Sequence, residues 1–126
     1  MPHTSTPGIV RVEVTVDTRD GADRLAESVV GHRLAACAQV GGPITSHYRW
    51  EGEVRRDEEW TVVLKTAEDR LDDLTARIVR EHPYDVPEVV AVPVVGGNPS
   101  YLAWVRDETR PAEAPGAVGE GRGAAE

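Results

Sequence analysis

Residues 44–66, ITSHYRWEGEVRRDEEWTVVLKT, predict a long β-hairpin on which the other elements can pack. In its first half, large residues such as Tyr48 and Trp50 recur at every second position, which is the period of a strand with two different faces. The second half, residues 59–66, alternates in the same way. The intervening residues 55–58 are all charged, so we expect the turn of the hairpin there.

A strand and a helix are predicted before this hairpin. IVRVEVTV, residues 9–16, alternates apolar and polar residues and is typical of a half-buried strand. Asp20 is a suitable N-cap for a helix whose apolar residues recur at spacings of three and four and which ends near residues 32–34. The apolar segment LAACAQV, residues 34–40, leads into the hairpin, and we expect a bulge or bend at residues 41–43, Gly-Gly-Pro.

Three further elements are predicted after the hairpin. Residues 67–82 carry an apolar stripe at helical spacing, with acidic residues in the first turn and basic residues in the last, and Pro83 ends this helix. VVAVPVV, residues 89–95, is typical of a fourth strand, in which Pro93 indicates an edge position or a bulge. Residues 99–109, PSYLAWVRDET, predict a short terminal helix.

The resulting order β-α-β-β-α-β-α predicts an α+β fold, a ferredoxin-like βαββαβ sandwich with a C-terminal helix. We expect its domain to span residues 8–110, between a disordered N-terminus, residues 1–7, and a disordered tail, residues 111–126, that is rich in Ala, Gly, Pro and Glu. Two helices cover only one face of the sheet, so Tyr48 and Trp50 require a cover on the other face. The pattern therefore predicts a homo-oligomer.

Composition and charge narrow the choice of partners. The formal net charge is -8 at pH 7, which repels phosphate and anionic lipid, so we expect neither nucleic acid nor a membrane as partner and regard cations as more natural ones. Cys37 is the only cysteine, which excludes an intrachain disulfide and fits a reducing compartment. The N-terminus has no secretory signal pattern, and the expected location is the cytoplasm.

Five collinear stretches cover most of the predicted domain: RLAACAQV (33–40), SHYRWEGEV (46–54), EEWTVVLKT (58–66), HPYDVPE (82–88) and NPSYLAWV (98–105). In this order and at this spacing they resemble the divalent-ion tolerance protein CutA family, over roughly residues 9–107. The resemblance implies a ferredoxin-like fold and a cytoplasmic homotrimer whose long hairpins pair between subunits. It also implies a role in tolerance of divalent metal ions, copper among them, by metal binding rather than by catalysis.

The resemblance further implies a ligand-binding cleft between subunits. Two candidate residues of this cleft, Tyr84 and Glu88, lie in a loop that Pro83 and Pro87 stiffen. The loop is either mainly a connector between helix and strand or also a wall of the ligand site. A buried lysine requires a partner, and Glu59 or Glu88 is suited to Lys65, so an interface salt bridge without a ligand is the alternative explanation. The candidate cleft residues are Trp50, Glu59, Lys65, Tyr84 and Glu88.

Copper or another divalent ion is the cofactor that the resemblance suggests, with Cys37 and His82 as candidate ligands. Thiolate is a soft ligand suited to Cu(I), and imidazole is a common ligand of copper and zinc. Each residue also has a simpler explanation. Cys37 has the character of a small core residue, and the imidazole of His82 can interact with the C-terminus of its own helix.

The sequence leaves two functions open. The first is tolerance of metal ions by binding them, and the second is a sensor similar to the PII signalling proteins, which bind small effectors in clefts between subunits. Against the second stands the lack of a Gly-rich or arginine-clustered anion site. We do not expect an enzyme, because neither a nucleophile beside its base nor a cationic cluster for acyl phosphates is visible.

Overall fold

A computed structural model describes residues 6–111 of the chain. The predicted order of helices and strands is confirmed, and with it the α+β class. In chain order the elements are β1 (Ile9–Val16), α1 (Arg19–Gly31), β2 (Cys37–Trp50), β3 (Glu53–Ala67), a 3₁₀ turn (Glu68–Arg70), α2 (Leu71–Glu81), β4 (Val89–Val94) and α3 (Pro99–Glu108).

The four strands form one sheet in the order β2-β3-β1-β4, and all neighbouring strands are antiparallel. β1 is paired on both sides, so that Val14 lies opposite Val62 in β3 and Val89 in β4. β4 is an edge strand of this sheet. Proline lacks an N–H group and is tolerated in an edge strand, because one side of such a strand needs no hydrogen bonds to a neighbouring strand. The edge position predicted for Pro93 is thus confirmed.

Helices α1 and α2 pack on one face of the sheet. The predicted alternation of β1 is confirmed, since Val12 and Val14 are fully buried on this face. Burial of each such side chain contributes about 1.5–3 kcal/mol, so this layer provides a large part of the hydrophobic stabilisation. Its buried residues are Val10, Val12, Val14, Val16, Ala22, Leu25, Val29, Leu34, Ala35, Val62, Leu64, Leu74 and Ile78.

The N-cap of α1 differs from the sequence prediction. Asp20 is the predicted cap, but Thr18 has the extended backbone of a cap, and its Oγ1 accepts a hydrogen bond from the N–H of Gly21 at 3.0 Å. Asp20 lies in the first turn instead, where its charge is favourable near the helix N-terminus. Thr and Asp both serve as N-caps, so residue type alone does not distinguish the two positions.

The predicted hairpin of β2 and β3 is present, but its turn is not at residues 55–58, which lie within β3. The chain reverses at Glu51 and Gly52, and Trp50 lies opposite Glu53. Both turn residues have positive φ, 52° and 79°, as a two-residue type I′ turn requires. Glutamate is uncommon in this conformation, so the Glu-Gly turn lacks the usual Asn-Gly signal.

The predicted irregularity in β2 is confirmed. β2 is one strand, and its register with β3 shifts between Gly41 and Ile44. Gly42 has a φ of 133°, and a Cβ at this position would lie 3.0 Å from Cδ1 of Trp60. Any side chain at this position would therefore be strained, because the φ is one that glycine adopts readily and the space beside Trp60 is tight.

The face of the sheet opposite α1 and α2 is called the open face below. α3 covers one end of it, where Val105 is fully buried against Ile9 and Ala36. The chain thus supplies part of the cover that the sequence pattern assigns to another copy. Elsewhere on this face apolar residues remain accessible, with Val90 and Val92 being 47% and 43% exposed.

Two arginines attach the C-terminal end of α3 to the rest of the domain. Arg110 forms a bidentate ion pair with Asp69, with nitrogen–oxygen distances of 2.8 and 2.7 Å. Arg33, which follows α1, donates to the backbone oxygens of Asp107 and Arg110 at 3.0 and 2.9 Å. The hydrogen bonds from Arg110 hold the pKa of Asp69 below its ordinary value.

The expected disorder of residues 1–7 and 111–126 lies almost entirely outside the described residues and stays a prediction, as does the domain range 8–110. Within residues 6–111, no helix has the length and apolar character needed to cross a bilayer. The longest, α1, has 13 residues, against the ~20 that the hydrocarbon core requires.

Substitutions in the hairpin turn test its assignment. Glu51→Asn is expected to stabilise the protein by ~0.5 kcal/mol, because Asn tolerates positive φ better than Glu. Gly52→Ala is expected to destabilise it by about 1 kcal/mol for the converse reason. Urea unfolding at one fixed protein concentration measures both changes. Glu58→Asn is the control, because it introduces the same residue within strand β3, where Asn is unfavourable. If Glu51→Asn destabilises the protein, the turn assignment is contradicted.

The Asp69–Arg110 pair predicts a pH-dependent contribution to stability. Asp69→Asn should lower the free energy of unfolding by about 0.5 kcal/mol at neutral pH, a usual size for a pair that is partly exposed to solvent. The folded-state pKa of Asp69 lies below its ordinary value of 3.8, so this contribution is present above that value and is lost as pH falls through the folded-state pKa.

Thermal unfolding of wild type and Asp69→Asn, from neutral to strongly acidic pH, measures this difference. We expect it to disappear on acidification. Glu27→Gln removes one negative charge from an exposed position of α1 and controls for the change in net charge. A difference that persists at acidic pH would show that the pair does not stabilise the fold through the ionised carboxylate.

Candidate functional site

A cleft of about 530 Å³ lies where the hairpin extends beyond β1. Val16, the last residue of β1, pairs with Trp60, so hairpin residues 44–59 have no neighbour in β1. The loop of residues 82–88 lies beside this extension and forms the other wall. The lining residues with functional chemistry include Tyr48, Trp50, Arg55, Glu59, Tyr84 and Glu88.

His82 fixes the start of this loop. The residue is 9% exposed, its Nε2–H donates to the backbone oxygen of Thr15 at 2.7 Å, and its Nδ1 accepts from the N–H of Tyr84 at 3.1 Å. The predicted interaction with the helix C-terminus is therefore wrong. His82 has left the helical conformation, with ψ at 143°, because Pro83 disfavours that conformation in the residue before it.

Tyr84 and Glu59 form the central polar contact of the cleft. The Tyr84 hydroxyl donates to Oε2 of Glu59 at 2.8 Å, and Glu59 is only 8% exposed. Burial, followed by the bond to Glu59, raises the pKa of Tyr84 well above its ordinary value. The phenol therefore stays protonated and acts as a donor at physiological pH.

A second tyrosine is held in the same way. The Tyr48 hydroxyl donates to the carboxylate of Asp57, and this hydrogen bond raises the pKa of Tyr48. Asp57 precedes Glu59 by two residues in β3, so both carboxylates lie on one face of the strand. Trp50 follows Tyr48 at the same spacing in β2, so both rings lie on one face of the strand and line the cleft. These two rings are called the aromatic wall below.

The cleft carries more negative than positive charge. Glu59, Asp85 and Glu88 line it, and none of the three forms an ion pair within the part of the chain that the structure describes. Arg55 also lines the cleft, but its Nη2 lies 3.8 and 3.5 Å from two carboxylates at the end of the hairpin. These carboxylates offset its charge, so the electrostatic environment favours cations.

The structure brings four of the five candidate cleft residues together and leaves Lys65 outside. Lys65 lies six residues along β3 from Glu59, which corresponds to roughly 20 Å. Its Nζ donates to Oε1 of Gln39 at 3.1 Å. The predicted pairing of Lys65 with Glu59 or Glu88 is therefore wrong within one chain, because Glu59 lies near the other end of β3 and Glu88 lies with it at the cleft.

Cys37 lies on the open face beneath α3. It is opposite Lys65 in the sheet and partly buried, and its Sγ is 3.4 Å from the hydroxyl of Tyr101. This hydrogen bond, together with burial, raises the pKa of Tyr101 to about 12. The thiol is therefore held by α3 and does not face the cleft.

The two candidate metal ligands do not meet within one chain. Cys37 lies at the α3 end of the sheet, whereas His82 contacts Thr15 at the cleft end. Both ring nitrogens of His82 are already hydrogen-bonded to the backbone. Residues 6–111 contain no group of three or more His, Cys, Asp or Glu that could hold a metal ion. The side chains of one protomer thus do not fit a closed copper or zinc site.

The lining residues that the sequence does not identify as cleft residues include His47, Tyr48, Arg55 and Asp85. The signal for Tyr48 is present, because it shares a strand face with Trp50. Asp85 lies in the quoted HPYDVPE stretch beside Tyr84. Arg55 is missed because the sequence prediction places it in the hairpin turn, and the strand face on which a side chain lies can be predicted only for a residue assigned to a strand.

Comparison with known proteins identifies one family. The family described as CutA1 divalent ion tolerance protein matches residues 10–108. The chain is 46% identical over 107 residues to "Protein CutA 1, chloroplastic" of Oryza sativa subsp. japonica, covering 85% of this chain and 60% of that protein. It is 42% identical over 98 residues to the "Divalent-cation tolerance protein CutA" of Thermus thermophilus, covering 78% and 95%. The chain thus spans about three-fifths of the plant relatives.

Solved structures agree with this match. The crystal structure of CutA1 from Oryza sativa has a TM-score of 0.80 and 44% identity to the chain, covering 83% of this chain and 96% of that one. The family match extends from the second residue of β1 to the last residue of α3, so it includes every element that forms the cleft. This chain belongs to the CutA1 divalent ion tolerance protein family.

Proposed function

We propose that this protein acts in tolerance of divalent metal ions, copper among them, by binding the ion rather than by catalysis. The observation that carries the proposal is the carboxylate of Glu59, which is 8% exposed and has no ion-pair partner within residues 6–111. A carboxylate removed from water needs compensation by a cation or by several hydrogen bonds. The hydroxyl of Tyr84 supplies one such bond, and a cation in the cleft would supply the rest.

The proposal includes a homotrimer of ferredoxin-like protomers. The strand order β2-β3-β1-β4 with α1 and α2 on one face supports a ferredoxin-like protomer. The accessible apolar residues of the open face, such as Val90 and Val92, support assembly with further copies. Because no three-ligand group is present in the described part of one chain, ligands from a second copy are needed to complete a metal site.

Two further parts of the proposal concern catalysis and location. The thiol of Cys37 contacts a phenol, and both nitrogens of His82 are bound to the backbone, so these two residues do not form a nucleophile and base. This placement supports binding without turnover. We propose the cytoplasm as the location. The chain has a single cysteine and so no intrachain disulfide, which fits a reducing compartment. The name of the rice relative says chloroplastic, so family membership alone does not assign a compartment.

A second candidate function, a PII-like sensor of a small molecule, is favoured by the size of the cleft. Its volume of about 530 Å³ lies within the ~300–1,000 Å³ typical of small-molecule sites. Aromatic and charged side chains converge on it, as in such sites. In this function an organic effector rather than a metal ion occupies the cleft.

Sedimentation equilibrium tests the assembly. We expect a particle of three times the 13.7 kDa of the chain. Val92→Asp should weaken association because it places a charge on the open face, whereas Val79→Asp, at a similarly exposed position of α2, should not. A folded monomer at all concentrations would overturn the trimer and any site shared between copies.

Equilibrium dialysis of tag-free protein against Cu(I), Cu(II) and Zn(II) tests metal binding. Glu59→Gln keeps an acceptor for Tyr84 but removes the charge, so it should weaken binding by ~10-fold. Cys37→Ser and His82→Gln test the alternative ligands, and Glu27→Gln is the control. If only Cys37→Ser weakens binding, the metal site lies at the thiol and not in the cleft. Protein that binds none of the three ions at millimolar concentration would overturn the metal function.

A further inference from the structure

The cleft presents aromatic rings that are positioned before any ligand binds. Tyr48 and Trp50 line it and are 40% and 38% exposed, so their rings are accessible to a ligand. The hydroxyls of Tyr48 and Tyr84 both donate to carboxylates of β3. Side chains held in this way lose little conformational freedom when a ligand binds, which favours affinity.

The carboxylates of the cleft determine which charge a ligand should carry. Oε2 of Glu59 accepts the bond from Tyr84, and Oε1 of Glu88 accepts a long bond from Thr15 at 3.5 Å. Neither acid is paired with a basic side chain within the described range 6–111. A cationic ligand would therefore meet negative charge that the protomer itself leaves largely uncompensated.

The aromatic wall is better suited to an organic cation than to a bare metal ion. A metal ion needs several donor atoms in its first coordination shell, and the described chain places no three suitable side chains together. An organic cation also carries an apolar body, which a bare metal ion lacks and which can pack on aromatic rings. One or two carboxylates are sufficient to bind an ammonium group, and the rings can contact the apolar part of the same ligand.

We propose that the cleft binds a primary organic ammonium ion, with its nitrogen at Glu59 and Glu88 and its apolar body against Tyr48 and Trp50. The inference rests on the second candidate function, small-molecule binding in the cleft, and specifies the ligand class. A primary ammonium has three N–H donors that match carboxylate oxygens, whereas a quaternary ammonium has none. The cleft volume of about 530 Å³ accommodates such a group together with an aromatic or aliphatic body.

Three probes of similar shape but different charge test this class: phenethylammonium, phenethyl alcohol and hydrocinnamate. Isothermal titration calorimetry of the full chain, at low ionic strength and with EDTA present, measures their binding independently of metal ions. We expect phenethylammonium to bind and the alcohol to bind at least ~10-fold more weakly, because it forms no ionic contact. Hydrocinnamate should not bind, and added salt should weaken binding of the ammonium.

Matched variants locate the binding site. Glu59→Gln removes the charge while keeping an acceptor for Tyr84, and Trp50→Leu removes the ring from an exposed position. Each should weaken phenethylammonium binding by at least ~10-fold. Trp104→Leu removes an equally exposed ring on α3, outside the cleft, and should leave binding unchanged, as should Glu27→Gln. Thermal unfolding confirms that each variant is folded.

The remaining outcomes overturn the inference in distinguishable ways. Equal binding of the alcohol, or preferential binding of hydrocinnamate, would contradict a cation site but leave small-molecule binding in place. Binding of phenethylammonium that is unaffected by Glu59→Gln and Trp50→Leu would place the ligand elsewhere. If none of the probes binds, the ammonium class is excluded. A thermal-shift screen with nucleotides and carboxylates then decides whether the second candidate function fails as well.

Discussion

The cleft exists because the paired strands differ in length. β2 and β3 contain 14 and 15 residues, whereas β1 contains 8 and ends opposite Trp60. Beyond that point the two long strands still pair with each other on one side, and their residues are largely exposed, so water can satisfy the backbone groups on the other side. The corner between this projection and the end of β1 is where Tyr48, Trp50 and Glu59 are brought together.

A short series of hydrogen bonds connects this corner to the core. It runs from the carbonyl of Thr15 through the imidazole of His82 to the amide of Tyr84, and from the hydroxyl of Tyr84 to Glu59. The side chains that shape the cleft are thus also the ones that attach the loop of residues 82–88 to the sheet. The same hydrogen bonds between buried polar groups therefore make the loop rigid and hold the side chains of the cleft in place.

Both proposed functions use the excess of negative charge in the cleft, but they differ in how many protein atoms must contact the bound cation. A metal ion requires several ligand atoms at fixed distances, which a single described chain does not assemble, so that function depends on contact between copies. An organic ammonium ion requires few contacts and uses the rings as well. Cys37 belongs to neither arrangement within one protomer, because α3 and Tyr101 hold its thiol at the other end of the open face.

The sequence by itself determined the elements whose signals are local. The alternation of residues 9–16, the Gly-Gly-Pro bulge and the edge position of Pro93 all follow from the backbone preferences and burial of neighbouring residues. The five collinear stretches likewise identified the family. Only the tertiary structure decided which side chains meet: it placed Lys65 beside Gln39 instead of an acid and directed His82 to a distant carbonyl. Such partners depend on the register and relative lengths of strands far apart in the chain, and no local pattern encodes these.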